Sequence, residues 1–175
     1  MNVKKYFLAL IAAVLSTSVF AYPPVEEENP STQLLQQYAA QMQELQQSLE
    51  KEVLPPLKQI AQLGLQVQQS NQTELTPQQE QLFNTYATQL DENLTKLVTP
   101  ALKGIDIDKF NEQYAQMAKT YGMPAHQFTL PEVSEMMKGM YLVSALGLFE
   151  QNQKLTADEL TVLAELFFPQ EEEGK

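Results

Sequence analysis

Met136, Met137 and Met140 fall within one apolar stretch, and Met117, Met123 and His126 lie a short way upstream. Thioethers are soft ligands, so a gathering of methionines beside one imidazole would suit Cu(I). Met136 and Met140 are four residues apart and share a helix face. One His and one Met would also hold a non-covalent haem between helices. Covalent haem attachment is excluded because the chain has no Cys. The same methionines are ordinary core filler at helical spacing. Together with Phe167 and Phe168, Met136, Met137 and Met140 would otherwise line an adaptable face for a protein partner.

Other constellations fail on residue type. Asp106 and Asp108 begin like a calcium loop, but Asn111 stands where glycine is needed and Met117 where the closing glutamate is needed. Helix capping accounts for both acids. A single His cannot serve as both base and ligand set, no Cys nucleophile exists, and neither G-x-S-x-G nor a glycine-rich phosphate loop appears. Paired carboxylates would suit a cell-wall hydrolase, yet 22 acidic residues guarantee accidental pairs. The expectation is a non-enzymatic protein with no cofactor. A Cu(I)- or haem-binding bundle is the second reading and a hydrolase the third.

These residues must be positioned by helices, because apolar residues recur at three- and four-residue steps and no stretch alternates strictly. Leu35, Tyr38, Met42, Leu45 and Leu49 form a narrow seam separated mostly by Gln and Glu. Pro55-Pro56 ends or kinks that helix at Leu54. Leu57, Ile60, Gly64 and Val67 then mark the inner face of a second. A third is expected from Thr76 to about Val98, closed by Thr99-Pro100. Asp108 is expected to cap a fourth carrying Phe110, Tyr114, Met117 and Tyr121, with Gly122 as its stop. From Thr129 to about Asn152 runs the most apolar helix, expected to be the most buried. Thr156 caps the last, with Leu160, Leu163 and Phe167. The predicted fold is an all-α bundle of five or six amphipathic helices in a single domain over 31–169.

The first residues, MNVKKYFLALIAAVLSTSVFA, place Lys4 and Lys5 before an apolar run from Tyr6 to Leu15 and end on Val19-Phe20-Ala21. That order predicts a signal peptide over 1–21, cleaved between Ala21 and Tyr22, since the run is shorter than the roughly 20 residues that span a bilayer. The mature chain is then expected to hold no membrane segment. An extended, disordered acidic lead-in over 22–30 and an acidic tail over 170–175 are expected to flank the domain. An exported chain without Cys suits the periplasm of a Gram-negative bacterium, with secretion as the alternative. The formal net charge is −11, and every basic residue is Lys. Loss of Lys4 and Lys5 makes the mature chain more acidic still. Without Arg, and with an anionic field, nucleic acid is not an expected partner, nor is an anionic membrane surface.

Three entries to helices share a pattern. Leu75-Thr76-Pro77-Gln78-Gln79 offers Thr76 as cap, Pro77 in the first turn and Gln79 to reach back to the Thr76 amide. Thr129 with Glu132 and Thr156 with Glu159 repeat it, with Phe128/Val133 and Leu155/Leu160 at staple positions. Leu75, Thr76 and Gln79 also resemble the LTxxQ signature of the Spy and CpxP family of periplasmic proteins. Leu155, Thr156 and Glu159 resemble a second copy, with Glu in place of Gln. The resemblance covers about ten residues. It implies an all-helical periplasmic protein that forms a curved antiparallel dimer, with ATP-independent chaperone activity or a link to envelope stress. The family's basic, arginine-bearing cradle has no counterpart here. From the residues themselves, the expected partner is a protein or unfolded client, and the Leu35–Leu49 seam would also serve a homodimer.

Overall fold

Proline decides where the first two helices divide. The computed structural model describes residues 30–70, 72 and 74–169, with side chains from residue 39 onward. Within that range α1 (Pro30–Glu52) gives way at Val53 to α2 (Leu54–Gln69), which carries Pro55 and Pro56 in its first turn. Val53 keeps right-handed helical angles, φ −100 and ψ −40, and its amide still bonds the Leu49 carbonyl at 2.9 Å. The chain therefore passes from one helix to the next without unwinding. The two prolines nevertheless remove the amides that would have served the carbonyls of Lys51 and Glu52.

Four more helices follow: α3 (Pro77–Leu102), α4 (Ile107–Tyr121), α5 (Leu130–Gln151) and α6 (Ala157–Phe167). No strand occurs among the described residues, so the fold is all-α as the periodicity predicts. The Ala21–Tyr22 junction, the acidic lead-in and the acidic tail fall outside the described residues, apart from Pro30, which opens α1. Two helix boundaries differ from expectation. Pro100 lies inside α3 and does not close it, because in the last turn its missing N–H forfeits a single bond to the Lys96 carbonyl. The cap of α4 is Asp106, whose carboxylate accepts from the Lys109 amide at 3.2 Å, and Asp108 sits in the first turn.

The described residues gather into two compact units, 30–40 with 98–140, and 41–97 with 141–169. In the second, Leu49, Leu57, Ile60, Leu94, Phe149 and Leu163 belong to one buried cluster, with Leu45, Phe83, Phe167 and Phe168 packed at its margin. Each fully buried side chain of this kind contributes about 1.5–3 kcal/mol. α2 and α6 come together at Gly64. A Cβ built there would collide with Cγ1 of Val162, so only glycine allows this approach. In the first unit Tyr114 and Ala118 are the buried centre, with Phe110, Met117, Met123, Phe128 and Met136 packed around them. α5, expected to be the most buried helix, presents both kinds of surface: Phe149 and Ala145 are wholly buried, whereas Val143 is 41% exposed.

α4 and α5 end in the same way. Met123 N–H bonds the Ala118 carbonyl across Gly122, which has φ 65. Lys154 N–H bonds the Phe149 carbonyl across Gln153, which has φ 52. A left-handed residue makes this stop, and glycine adopts it without a Cβ penalty. Gln153 carries that penalty, roughly 1 kcal/mol. Gln153→Gly is expected to stabilise the protein by about that amount, read as a higher denaturant midpoint at unchanged slope.

Candidate functional site

The three threonine caps form as reciprocal pairs. Thr76 N–H donates to Gln79 Oε1 at 2.8 Å, and Gln79 N–H donates to Thr76 Oγ1 at 3.3 Å. Thr156 and Glu159 repeat this at 2.8 and 3.2 Å. In both LTxxQ-like motifs the Thr and Gln or Glu side chains thus hold orphan amides at the start of a helix. Their leucines differ: Leu155 is buried among the larger unit's core, and Leu75 is 39% exposed.

The third pair lies beside the histidine. Thr129 N–H donates to Glu132 Oε2 at 2.7 Å, Thr129 Oγ1 donates to the same oxygen at 2.8 Å, and Glu132 N–H returns to Thr129 Oγ1 at 3.4 Å. Glu132 Oε1 faces His126 Nε2 at 3.4 Å. The His126 and Phe128 rings make a T-shaped contact with centroids 4.4 Å apart, so this imidazole is held between an aromatic ring and a carboxylate. The Thr129 amide, then its hydroxyl, hold the Glu132 carboxyl below the ordinary range, with a smaller contribution from His126.

A carboxyl depressed in the folded state favours folding above its unfolded pKa, about 4.3, and that contribution fades as the pH falls through the lower folded value. Acid is therefore expected to fray the start of α5 below about pH 4. Glu132→Gln keeps an acceptor without the titration. Amide exchange at residues 129–133 should accelerate between pH 5 and 3 in the parent and stay flat, after correction for intrinsic rates, in the variant.

The methionines divide by surroundings. Met117, Met123 and Met136 surround Tyr114 and Ala118, Met137 is buried, and Met140 is half-buried. Phe167 and Phe168 are half-buried at the margin of the larger unit's core. Among the described residues no three His, Cys, Asp or Glu side chains are grouped to hold a metal ion. An open depression of about 590 Å³ runs along α3, lined by Pro77, Glu80, Gln81, Asn84, Thr85 and Thr88. One acid lines it, where glycosidic cleavage needs two.

Two asparagines that no capping or ligand pattern marks do structural work across long sequence separations. Asn111 Nδ2 donates to the Phe128 carbonyl at 2.9 Å, and Phe128 N–H donates to Asn111 Oδ1 at 2.7 Å. With Tyr114 Oη donating to the Pro124 carbonyl at 3.2 Å, this clamps the histidine loop onto α4. Asn93 Nδ2 donates to the Glu52 carbonyl at 2.7 Å. The stranded carbonyl before Pro55-Pro56 implies such a donor, although nothing local says which residue provides it. Asn93, Lys138 and Glu159 are the buried polar side chains of the described part, and each has a partner: the Glu52 carbonyl, Glu135 at 2.6 Å and the Thr156 amide respectively.

Large apolar side chains remain on the surface. Met42, Leu82, Val143 and Leu166 of the larger unit are 41–47% exposed, and Tyr121 of the smaller is 73% exposed. No helix among the described residues is long and apolar enough to cross a membrane. No protein-family model matches the chain, and no curated protein or solved structure shows significant similarity to it.

Proposed function

We propose that this is an exported, non-enzymatic helical protein that binds protein partners through apolar surface, with chaperone-like or envelope-stress duties in the bacterial periplasm. The observation that carries the reading is the end of α6. Three consecutive large apolar residues, Leu166-Phe167-Phe168, cannot all face one core; Leu166 stays 45% exposed and the two phenylalanines lie at the core's margin. Such surface gains free energy when another apolar segment covers it. The export signal read in residues 1–21 and the LTxxQ resemblance agree with this setting, and the acidic surface keeps the chain soluble while the patch is uncovered.

The test is light scattering by a chemically unfolded client enzyme diluted into buffer without ATP. Suppression at near-equimolar protein is expected. A Leu166→Ser, Phe168→Ser variant that keeps its helical circular dichroism should lose most of it. No suppression, together with no protein captured by crosslinking in cells, would remove the proposal.

A further inference from the structure

One cluster of the smaller unit is rich in sulfur. Only Tyr114 and Ala118 of its central cluster are buried, and three of the five side chains packed around them are methionines. Met117, Met123 and Met136 are each partly exposed, so reagents in solution reach this cluster. The other described methionines are placed differently: Met42 is 47% exposed on α1 outside this cluster, Met137 is buried, and Met140 is half-buried but not packed against Tyr114 and Ala118. The rings in the cluster are Tyr114, Phe110 and Phe128, the first two in T-shaped contact with the third at centroid separations of 4.8 and 5.5 Å. This surrounding suits a thioether and not a strongly polar S=O dipole.

We propose that Met117, Met123 and Met136 form an oxidation site, at which a two-electron oxidant such as hypochlorous acid switches the packing of the smaller unit. A sulfur lone pair attacks the chlorine of HOCl and water displaces chloride from the chlorosulfonium ion. The net change is thioether and HOCl to sulfoxide, H⁺ and Cl⁻. Sulfur gives up two electrons and the chlorine takes them. Each sulfoxide carries a strong dipole that is better hydrated away from the aromatic side of the cluster, so oxidation favours turning the side chain further into water. Met123 opens the loop that carries Phe128, so its departure pulls against the Asn111 clamp and uncovers Phe110 and Phe128. The reaction is reversible by methionine sulfoxide reductase.

The test treats the full mature chain with hypochlorous acid, maps added oxygen by peptide mass spectrometry and follows amide exchange over residues 107–136. Sulfoxide is expected at all three positions, with exchange there accelerated about tenfold and restored after reductase treatment. Met117→Leu, Met123→Leu and Met136→Leu together conserve side-chain volume and should abolish the acceleration while Met42 still oxidises. Oxygen confined to Met42 would overturn the proposal. So would sulfoxide at the three sites without faster exchange, or equal acceleration in the triple variant. Were that variant unfolded, the treated parent chain alone still decides, since its oxygen map and its exchange must change together.

Discussion

Gly64→Ala is expected to destabilise the larger unit by about 2 kcal/mol, although alanine is the better helix former by about 1 kcal/mol. The added Cβ would collide with Cγ1 of Val162, and its next neighbours would be Val162 Cβ at 3.7 Å and Leu166 Cδ1 at 4.0 Å. Val162 cannot swing away cheaply: it is 4% exposed, and a β-branched side chain on a helix has one strongly preferred rotamer. α2 and α6 must then separate, weakening the contacts of Leu163, which is wholly buried. The decisive measurement is a double-mutant cycle by urea unfolding. Val162→Ala alone costs stability by leaving a cavity, whereas in the Gly64→Ala background it removes the clash. The pair should show a favourable coupling of about 1–3 kcal/mol. Additive effects would mean that the helices do not meet at this point.

Because Leu166 is also a neighbour of this glycine, the cycle bears on the proposed binding surface as well. A variant that pushes α6 outward changes the exposure of Leu166, Phe167 and Phe168 together. Client suppression should therefore change in Gly64→Ala more than in Gln153→Gly, which alters only the stop of α5.

What the sequence made legible was local. Prolines 55 and 56 announce a break, Gly122 announces a stop, and the Thr-x-x-Gln/Glu pairs announce three helix entries, because each depends on residues within one turn. Pro100 misled for the same reason: proline stops a helix in its interior, and whether a turn is the last one depends on the residues after it. Asp106 and Asp108 were both available as caps, and only the backbone angles at Asp106, φ −86 and ψ 103, select the former. Gln153 was unreadable as a left-handed stop because glutamine has no preference for that conformation. The methionine grouping was half visible: the sequence gathers Met136, Met137 and Met140 with Met117 and Met123 nearby, whereas only Met117, Met123 and Met136 pack around Tyr114 and Ala118, a division that depends on which side of α5 faces α4. Long-range asparagine bonds were beyond reach. A side-chain amide 17 residues from Phe128, or 41 from Glu52, leaves no periodic trace.

Asn93 is the case where that hidden bond can be exposed by experiment. In a regular helix the Glu52 carbonyl would accept from the amide of residue 56, which is proline and has none. Asn93 Nδ2 fills the vacancy at 2.7 Å, and the residue is 8% exposed. Asn93→Ala leaves a carbonyl without its donor and should cost about 1–3 kcal/mol, seen as a lower urea midpoint. Pro56→Ala returns an amide to residue 56, so the loss caused by Asn93→Ala should shrink in that background. Equal losses in both backgrounds would show that Asn93 acts through packing alone. The same geometry bears on Asn93-Leu94-Thr95, which has the form of a glycosylation sequon. A glycan on Nδ2 would leave that nitrogen one N–H, but the sugar has to reach solvent and the side chain is 8% exposed, so a glycosylating host should secrete the folded chain unmodified at Asn93.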